Sequence, residues 1–405
     1  MRWLILVLVG CGAQGASGTG TVVYSERGTG RVISLELATG ATEVIDSGSF
    51  GGVAIAADRK YVAYTGLDWV VKVNDRHGSI TPLAPGGGGC GAVAVWGPND
   101  SLTYCIEDQS GGGTVFLPAP GAAPRRVNGG NLAVSANGER VVYRDYARTD
   151  GTSTLGDDVV ESADGSTRLV LRASVTDGGL FLFTPDQQHV LTPSAAGLLE
   201  IALADGSTTN LGSGAFAEPL PFDQGSYLSP DGTEMLLFAD NQYVGLNVAT
   251  GQRRYIADAP AHCGVIAAFV DADSVVCETY EEVSTGGDTG TIRESIVLAR
   301  GSSATTLLPS DGLCELIGVA RMASYVAASC GNATIVSTDG LVLAAKPAMS
   351  VFGIAHDESG VVAVDRDGPV YFLSRDGDAR SLATAMSPFD SVHGDLLQPY
   401  VAYAP

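Results

Sequence analysis

Short apolar runs of Val, Leu, Ile, Ala and Tyr recur along the whole chain, each closed by a cluster of Gly, Asp, Ser, Asn or Pro. Within many runs apolar and polar residues alternate, the period of two that marks a strand with two different faces. The clearest unit opens with the turn Ser229-Pro230-Asp231-Gly232, continues as EMLLFAD, and ends as YVGLNVATGQRRYIA. The same order of turn, strand, turn, strand appears in SANGERVVYRD from Ser135, TPDQQHVLTP from Thr184 and HDESGVVAVDRDGPVYFLSRDGDARSL from His356. Glycine, aspartate and proline at these positions fit tight turns rather than helix ends.

Each unit reads as four strands, and the second strand is the easiest to place. It is expected to begin near Val22, Tyr61, Leu102, Val141, His189, Glu234, Val275, Tyr325, Val361 and Tyr400, at steps of about 35–50 residues. Four short strands per unit, repeated, predict an all-β chain forming a single β-propeller of four-stranded antiparallel blades. Eight blades are expected, within an interval of seven to nine. The opening segment TVVYSERGTGRVISLELATGATEVID carries the last three strands of a unit, and SVHGDLLQPYVAYAP at the other end supplies what is missing. Pairing of the N- and C-terminal strands is therefore expected to close the ring and remove its free edges. The segment Thr149–Thr167 reads as an insertion, and Glu278–Thr291 as a long solvated loop.

The unit resembles the WD40-like repeats of TolB-type propellers, with their S-P-D-G turn and following strand. LELATG and NVATG also resemble the quinoprotein-like repeats of the assembly lipoprotein BamB, without the docking Trp of those repeats. The resemblance implies a binding or scaffolding role in the bacterial envelope.

The first residues have a different character. Met1-Arg2, an apolar run from Trp3 to Val9 and then Gly10-Cys11 describe a signal peptide, too short to span a bilayer. Leu8-Val9-Gly10-Cys11 resembles the lipobox of bacterial lipoproteins, which implies lipidation at Cys11. The expected organisation is a leader at 1–10, the lipidated Cys with a flexible tether at 11–20, and the propeller at 21–405. An ordinary secretory leader, or a start codon placed wrongly, is the competing reading of the same residues. Acyl chains contribute about 0.8 kcal/mol per buried CH₂, enough for two or three to hold the protein at a membrane. Gly12 stands where an inner-membrane retention signal commonly places Asp, so the family resemblance favours the outer membrane.

Six further cysteines fall into neighbouring pairs: Cys90 and Cys105, Cys263 and Cys277, Cys314 and Cys330, spaced by 15, 14 and 16 residues. The middle of each pair falls at or beside a turn, so each pair is expected to close a disulfide across one hairpin. Six free buried thiols or a metal site are the alternatives, and no CxxC or Cys/His spacing favours the metal. Disulfides agree with an oxidising compartment outside the cytoplasm.

Charge and chemistry narrow the function without naming it. A net charge of −22 over 405 residues repels phosphate backbones, so no nucleic-acid partner is expected. The acidity is expected to keep the protein soluble and monomeric, with an acidic face for a cationic ligand or Ca²⁺ as the alternative reading. There is no HExxH, P-loop or GxSxG pattern. His77, His189, His262, His356 and His393 lie in different units. Asp365-Arg366-Asp367 and Asp271-Ala272-Asp273 have the D-x-D form of calcium loops but read better as turn residues. Adjacent Glu281 and Glu282 point to opposite faces of a strand and make a poor dyad. Trp96 reads as core, and Trp69 as core or as a stacking surface for a ligand. No catalytic residue, metal ligand or cofactor is expected. The preferred reading is a lipid-anchored envelope protein holding a protein, peptide or glycan partner. The alternative is a propeller enzyme of lactonase, glycan-cleaving or quinoprotein type.

Overall fold

A computed structural model describes residues 21–383 and 401–404, apart from short stretches of which 86–93, 146–155 and 218–227 are the longest. The leader, Cys11 and the tether lie outside the described residues. Among these residues there is no α-helix, and every sheet has four antiparallel strands. Nine such sheets are described, numbered here along the chain. Sheet 1 combines 21–47 with 401–404, sheet 2 is 49–85, sheet 3 is 94–127, sheet 4 is 129–175 and sheet 5 is 182–210. Sheet 6 is 215–258, sheet 7 is 263–308, sheet 8 is 315–347 and sheet 9 is 349–383.

Sheets 2 to 9 are simple meanders, each strand hydrogen-bonded to the next in sequence. In sheet 1 the first position is taken by Val401–Ala404, which pairs antiparallel with Thr21–Glu26 in the register Thr21 to Ala404 and Tyr24 to Val401. A second strand near Tyr400 is thus corrected: the terminal strand fills the first position, beside a second strand that begins at Thr21. The remaining second strands start at Val62, Leu102, Arg140, His189, Glu234, Ser274, Tyr325 and Gly360, each within one residue of the sequence expectation. Two other expectations fail. Gly156–Ser162 is the regular third strand of sheet 4, so that part of Thr149–Thr167 is not an insertion, and 149–155 lie outside the described residues. Ser274–Ser284 and Gly290–Arg300 are the long central hairpin of sheet 7, where polar Glu278–Thr291 had suggested a loop.

Burial explains the apolar runs. In sheet 8 the second strand Tyr325–Ser329 is buried over its first four residues. Tyr325 and Ala327 pack with Met349, Val351, Val361 and Ala363 of sheet 9, while Val326 and Ala328 pack with Ala268, Val276 and Ile296 of sheet 7. A strand covered on both faces must be apolar at every position, and each fully buried Val or Ile contributes about 1.5–3 kcal/mol. Fourth strands keep an exposed face: Thr42–Ser47 and Thr208–Asn210 are almost wholly solvated. Inner strands therefore read as continuous apolar segments and outer strands as polar ones.

The turns between first and second strands are built alike. The Ser229 hydroxyl hydrogen-bonds Asp231 Oδ1 at 2.5 Å and accepts the Glu234 N–H at 2.9 Å, while Ser229 N–H donates to the Glu234 carbonyl at 2.8 Å. Ser135 with Asn137 and Arg140, and Thr184 with Asp186 and His189, repeat the arrangement. The residue after the Asx position has positive φ, 71° at Gly232 and 69° at Gly138, which favours glycine there.

The chain divides into two compact units. One is built on Ile45–Ala215, the other on Phe216–Pro405 with most of the N-terminal strands.

Candidate functional site

Sheet 4 departs from the apolar rule. Its second strand, Arg140–Asp145, is buried through Val141, Val142, Tyr143 and Arg144, so an arginine occupies a core position. In register, Arg144 faces Asp158 on the third strand, and Asp158 faces Arg172 on the fourth. Arg144 Nε donates to Asp158 Oδ1 at 2.8 Å, and Arg172 Nε donates to Asp158 Oδ2 at 2.7 Å. Arg172 also pairs through its Nη2 with the same carboxylate. Side-chain exposure is 2% for Arg144, 0% for Asp158 and 12% for Arg172. Two cations thus flank one anion in a nearly dry setting. Arg144 Nη2 is buried with no hydrogen-bond partner among the described residues.

Local sequence makes room for this arrangement. Gly130 and Gly156 flank Arg144, Gly130 opposite it on the first strand and Gly156 beside it on the third. A Cβ on Gly156 would come within 2.6 Å of Arg144 Cγ, so the arginine stem lies directly against that glycine. On the same face Val142 and Val160 continue into the core with Phe181 and with Val190 and Ile201 of sheet 5.

The opposite face carries a second charged group, neutral overall. Glu161 accepts the Tyr143 hydroxyl at 2.8 Å, pairs with Arg125 of sheet 3, and lies 3.3 Å from Arg168 Nε. Arg168 reaches on to Asp145 at 2.8 Å. Burial and the neighbouring Glu161 push the Tyr143 phenol up to about 12, so it stays protonated and donates at all physiological pH. Around this contact Val141, Tyr143 and Val159 pack with Phe116 and Val127 of sheet 3.

The residues singled out from sequence fall elsewhere and are not brought together. Cys263 joins Cys277 across the first and second strands of sheet 7, and Cys314 joins Cys330 at the residues just before the first strand and just after the second strand of sheet 8. A β-bulge between Cys263 and Ala267 sets Cys263 opposite Thr279, so that pair is offset rather than directly opposed. Cys90 lies outside the described residues, and with it the expected link to Cys105 on the second strand of sheet 3. His77, His356, His393, Trp69 and Asp367 also lie outside them. His189 is half-buried beside the Asp186 carboxylate at 3.6 Å, and His262 is exposed at a turn with φ 68°. Asp271 and Asp273 close a turn: Asp271 accepts the Asp273 N–H at 2.8 Å and pairs with Arg300, while Asp273 pairs with Arg254. Those partners suit a structural turn. Glu281 pairs in register with Arg293 on the central hairpin of sheet 7, and Trp96 ends the first strand of sheet 3.

Sequence reasoning missed Arg144, Asp158 and Arg172. The available signal was an arginine following Val-Val-Tyr in a strand whose counterparts are apolar at their centres, with Gly156-Asp157-Asp158 before the next apolar pair.

Successive four-stranded antiparallel meanders, buried at their inner strands and wet at their outer ones, define an all-β protein with blades of the β-propeller type. Over 90% of its length the chain is similar to 96% of a eukaryotic initiation factor structure, at 11% identity and a TM-score of 0.56. It is also similar to a putative TolB from Agrobacterium tumefaciens, at 11% identity over 73% of this chain and 90% of that one, TM-score 0.32. An oligogalacturonate lyase from Vibrio parahaemolyticus gives 12% identity over 91% and 97%, with a TM-score of 0.43. No family model matches the chain, and no curated protein matches it. At such identities the initiation-factor likeness bears on fold alone.

Proposed function

We propose that this is an exported, lipid-anchored envelope protein that holds a protein, peptide or glycan partner on a propeller scaffold. In this reading the four-stranded sheets are blades of one ring, closed by the sheet that the two termini share. Cys11 carries the lipid, and the outer membrane is the favoured site. The disulfides Cys263–Cys277 and Cys314–Cys330 support an oxidising compartment. The observation that carries a binding role is the charged row of sheet 4. A core arginine with an unmet donor costs stability, and a cost tolerated at a core position supports a binding site there.

The test is capture of crosslinked partners from detergent-solubilised envelope with the full-length protein and with an Arg144→Gln variant. A partner held by the first and lost from the second supports the reading. The same set of proteins from both, or none from either, overturns it. Replacing Cys11 with Ser should move the protein into a soluble extracytoplasmic fraction, and continued membrane retention would contradict the anchor.

A further inference from the structure

We infer that Met322, Leu341 and Val342, at one end of sheet 8, form a docking surface for a basic amphipathic segment of a partner protein. The inference deepens the partner-holding role proposed above and rests on that reading for its biological meaning, but its surface lies on a different sheet from the charged row. Met322 belongs to the turn between the first and second strands of sheet 8. Leu341 closes the turn between the third and fourth strands, and Val342 opens the fourth. The two turns stand side by side, because the Thr338 N–H donates to the Ser324 carbonyl at 3.1 Å. Exposure is 80% at Met322, 64% at Leu341 and 49% at Val342.

Sister turns are polar at these places. After the positive-φ glycine of the third-to-fourth turn come Ser166-Thr167 in sheet 4, Ser207-Thr208 in sheet 5 and Gln252-Arg253 in sheet 6. Sheets 7 and 9 have Ser302-Ser303 and Asp378-Ala379 there. Sheet 8 instead follows Gly340 with two aliphatic residues. The first-to-second turns of sheets 4 to 7 carry Ala136-Asn137, Pro185-Asp186, Pro230-Asp231 and Ala272-Asp273, where sheet 8 has Met322. An apolar side chain alone on a surface is ordinary, but three at the end of one sheet, against the pattern of the repeat, mark an interaction site.

The surface is braced and its border is acidic. Arg321, next to Met322, is fixed by the Phe269 and Leu228 carbonyls. The Leu341 N–H donates to Ser337 Oγ at 3.0 Å, and the Ser337 N–H donates to the Leu341 carbonyl at 2.9 Å. Asp339 stands in the same turn, and the Ser337 hydroxyl holds its carboxyl below the usual range, so it is ionised. The matching turn of sheet 9 rests on the fourth strand of sheet 8: a Cβ on Gly377 would stand 3.7 Å from the Leu343 carbonyl oxygen. That turn adds exposed Asp376 and Asp378, of which the neighbouring Arg375 offsets one. Apolar residues with a charged border have the make-up of a protein interface. A segment with Leu or Val on one side and Lys or Arg on the other matches both parts. A second copy of a chain at −22 meets repulsion instead, as does an anionic lipid surface.

Fluorescence anisotropy of the purified full-length protein tests this, with a labelled amphipathic peptide of Lys and Leu at helical spacing as the probe. Glu/Leu and Lys/Ser peptides of the same pattern are the controls. The expected result is saturable binding of the Lys/Leu peptide alone, weakened by salt. Met322→Ser combined with Leu341→Ser should raise Kd about tenfold or more. Both positions are exposed, so the fold is kept, which an unchanged thermal midpoint checks. Tyr255→Ser, at an exposed position of sheet 6, should leave Kd as it was. Undiminished binding by the double variant, or equal binding of the Lys/Ser peptide, overturns the surface. A dimer in sedimentation that the double variant dissolves assigns the patch to a second copy and overturns the partner. Peptide binding lost in the double variant, with no partner captured from the envelope, keeps the surface and removes the scaffold role. A partner captured equally by the native protein and the double variant keeps that role and removes the surface.

Discussion

Neutralising Asp158 is the sharpest perturbation the structure offers. Asp158→Asn keeps the size of the side chain and removes the one anion between two guanidiniums, of which Arg144 is almost wholly buried. At 4 Å, two unit charges interact by about 4 kcal/mol at an effective dielectric of 20, so losing the two attractions exposes a large mutual repulsion. Breaking a buried pair by removing one partner costs about 3–5 kcal/mol. The unit built on Ile45–Ala215 falls in the size class where each kcal/mol moves Tm by about 2–4 °C, giving a drop of about 6–20 °C. Thermal and urea unfolding, followed by near-UV circular dichroism, would measure it. Asp157→Asn is the control: its carboxylate accepts the Ser174 N–H at 2.9 Å at a solvent-facing position, and about 1 kcal/mol is expected. Adding Arg144→Met to Asp158→Asn should restore stability, because it removes the stranded cation. A loss below about 1 kcal/mol for Asp158→Asn, or strictly additive losses in the double variant, would refute the argument from buried charge.

Other expectations follow from single contacts. Replacing Cys314 and Cys330 together with Ala should cost about 3 kcal/mol in urea unfolding, and peptide mapping without reductant should recover Cys263–Cys277 and Cys314–Cys330 as separate links. Asp231 is pushed down to about 2 from 3.8 by the Ser229 hydroxyl and by Thr233. A depressed carboxylate contributes stability that is complete above its unfolded value and lost as pH falls towards the folded one. Urea midpoints should therefore decline between pH about 4 and 2, and less steeply in Asp231→Asn; identical slopes would exclude this turn as a contributor. Gly197 has φ +115°, and a Cβ there would stand 2.4 Å from the Gly212 carbonyl oxygen. Gly197→Ala should cost about 3 kcal/mol, against about 1 kcal/mol for Gly232→Ala, where φ is +71° and nothing lies within 4 Å. Equal Tm values for the two alanine variants would show that the clash is relieved locally.

Much of the fold was legible because its signals are local. The Ser229-Pro230-Asp231-Gly232 turn closes through its own side chains, so the residues that form it are adjacent in sequence. Second strands such as Val62–Gly66 and Tyr325–Ser329 are buried along almost their whole length, and their apolar runs mark their positions to within a residue. Long-range pairing defeated the same logic in sheet 7. There Glu278 and Glu294 are buried and accept the Leu316 and Cys314 N–H groups of sheet 8, so polar residues sit inside a ladder rather than in a loop. The charged row was hidden for a similar reason. Arg144, Asp158 and Arg172 are spaced by 14 residues at each step, and only the register of three strands sets them side by side. The bulge at Cys263 illustrates the limit in small: spacing indicated the partner, but not the offset with which the two strands meet.

One contact has a kinetic consequence. The Arg321 guanidinium, from the turn after the first strand of sheet 8, donates to the Phe269 carbonyl of sheet 7 at 3.3 Å and to the Leu228 carbonyl beside sheet 6 at 2.9 Å. These partners lie 52 and 93 residues earlier in the chain. Such a contact cannot form until three consecutive sheets already stand in place, because loop closure must be complete before the contact repays it. Arg321 thus acts as a late latch. During synthesis from the N-terminus, sheets 6 and 7 emerge with those two carbonyls waiting, and the arrival of sheet 8 locks all three. Fraying should run in the opposite order, with the three sheets exchanging their amide protons as a single cooperative block instead of one by one.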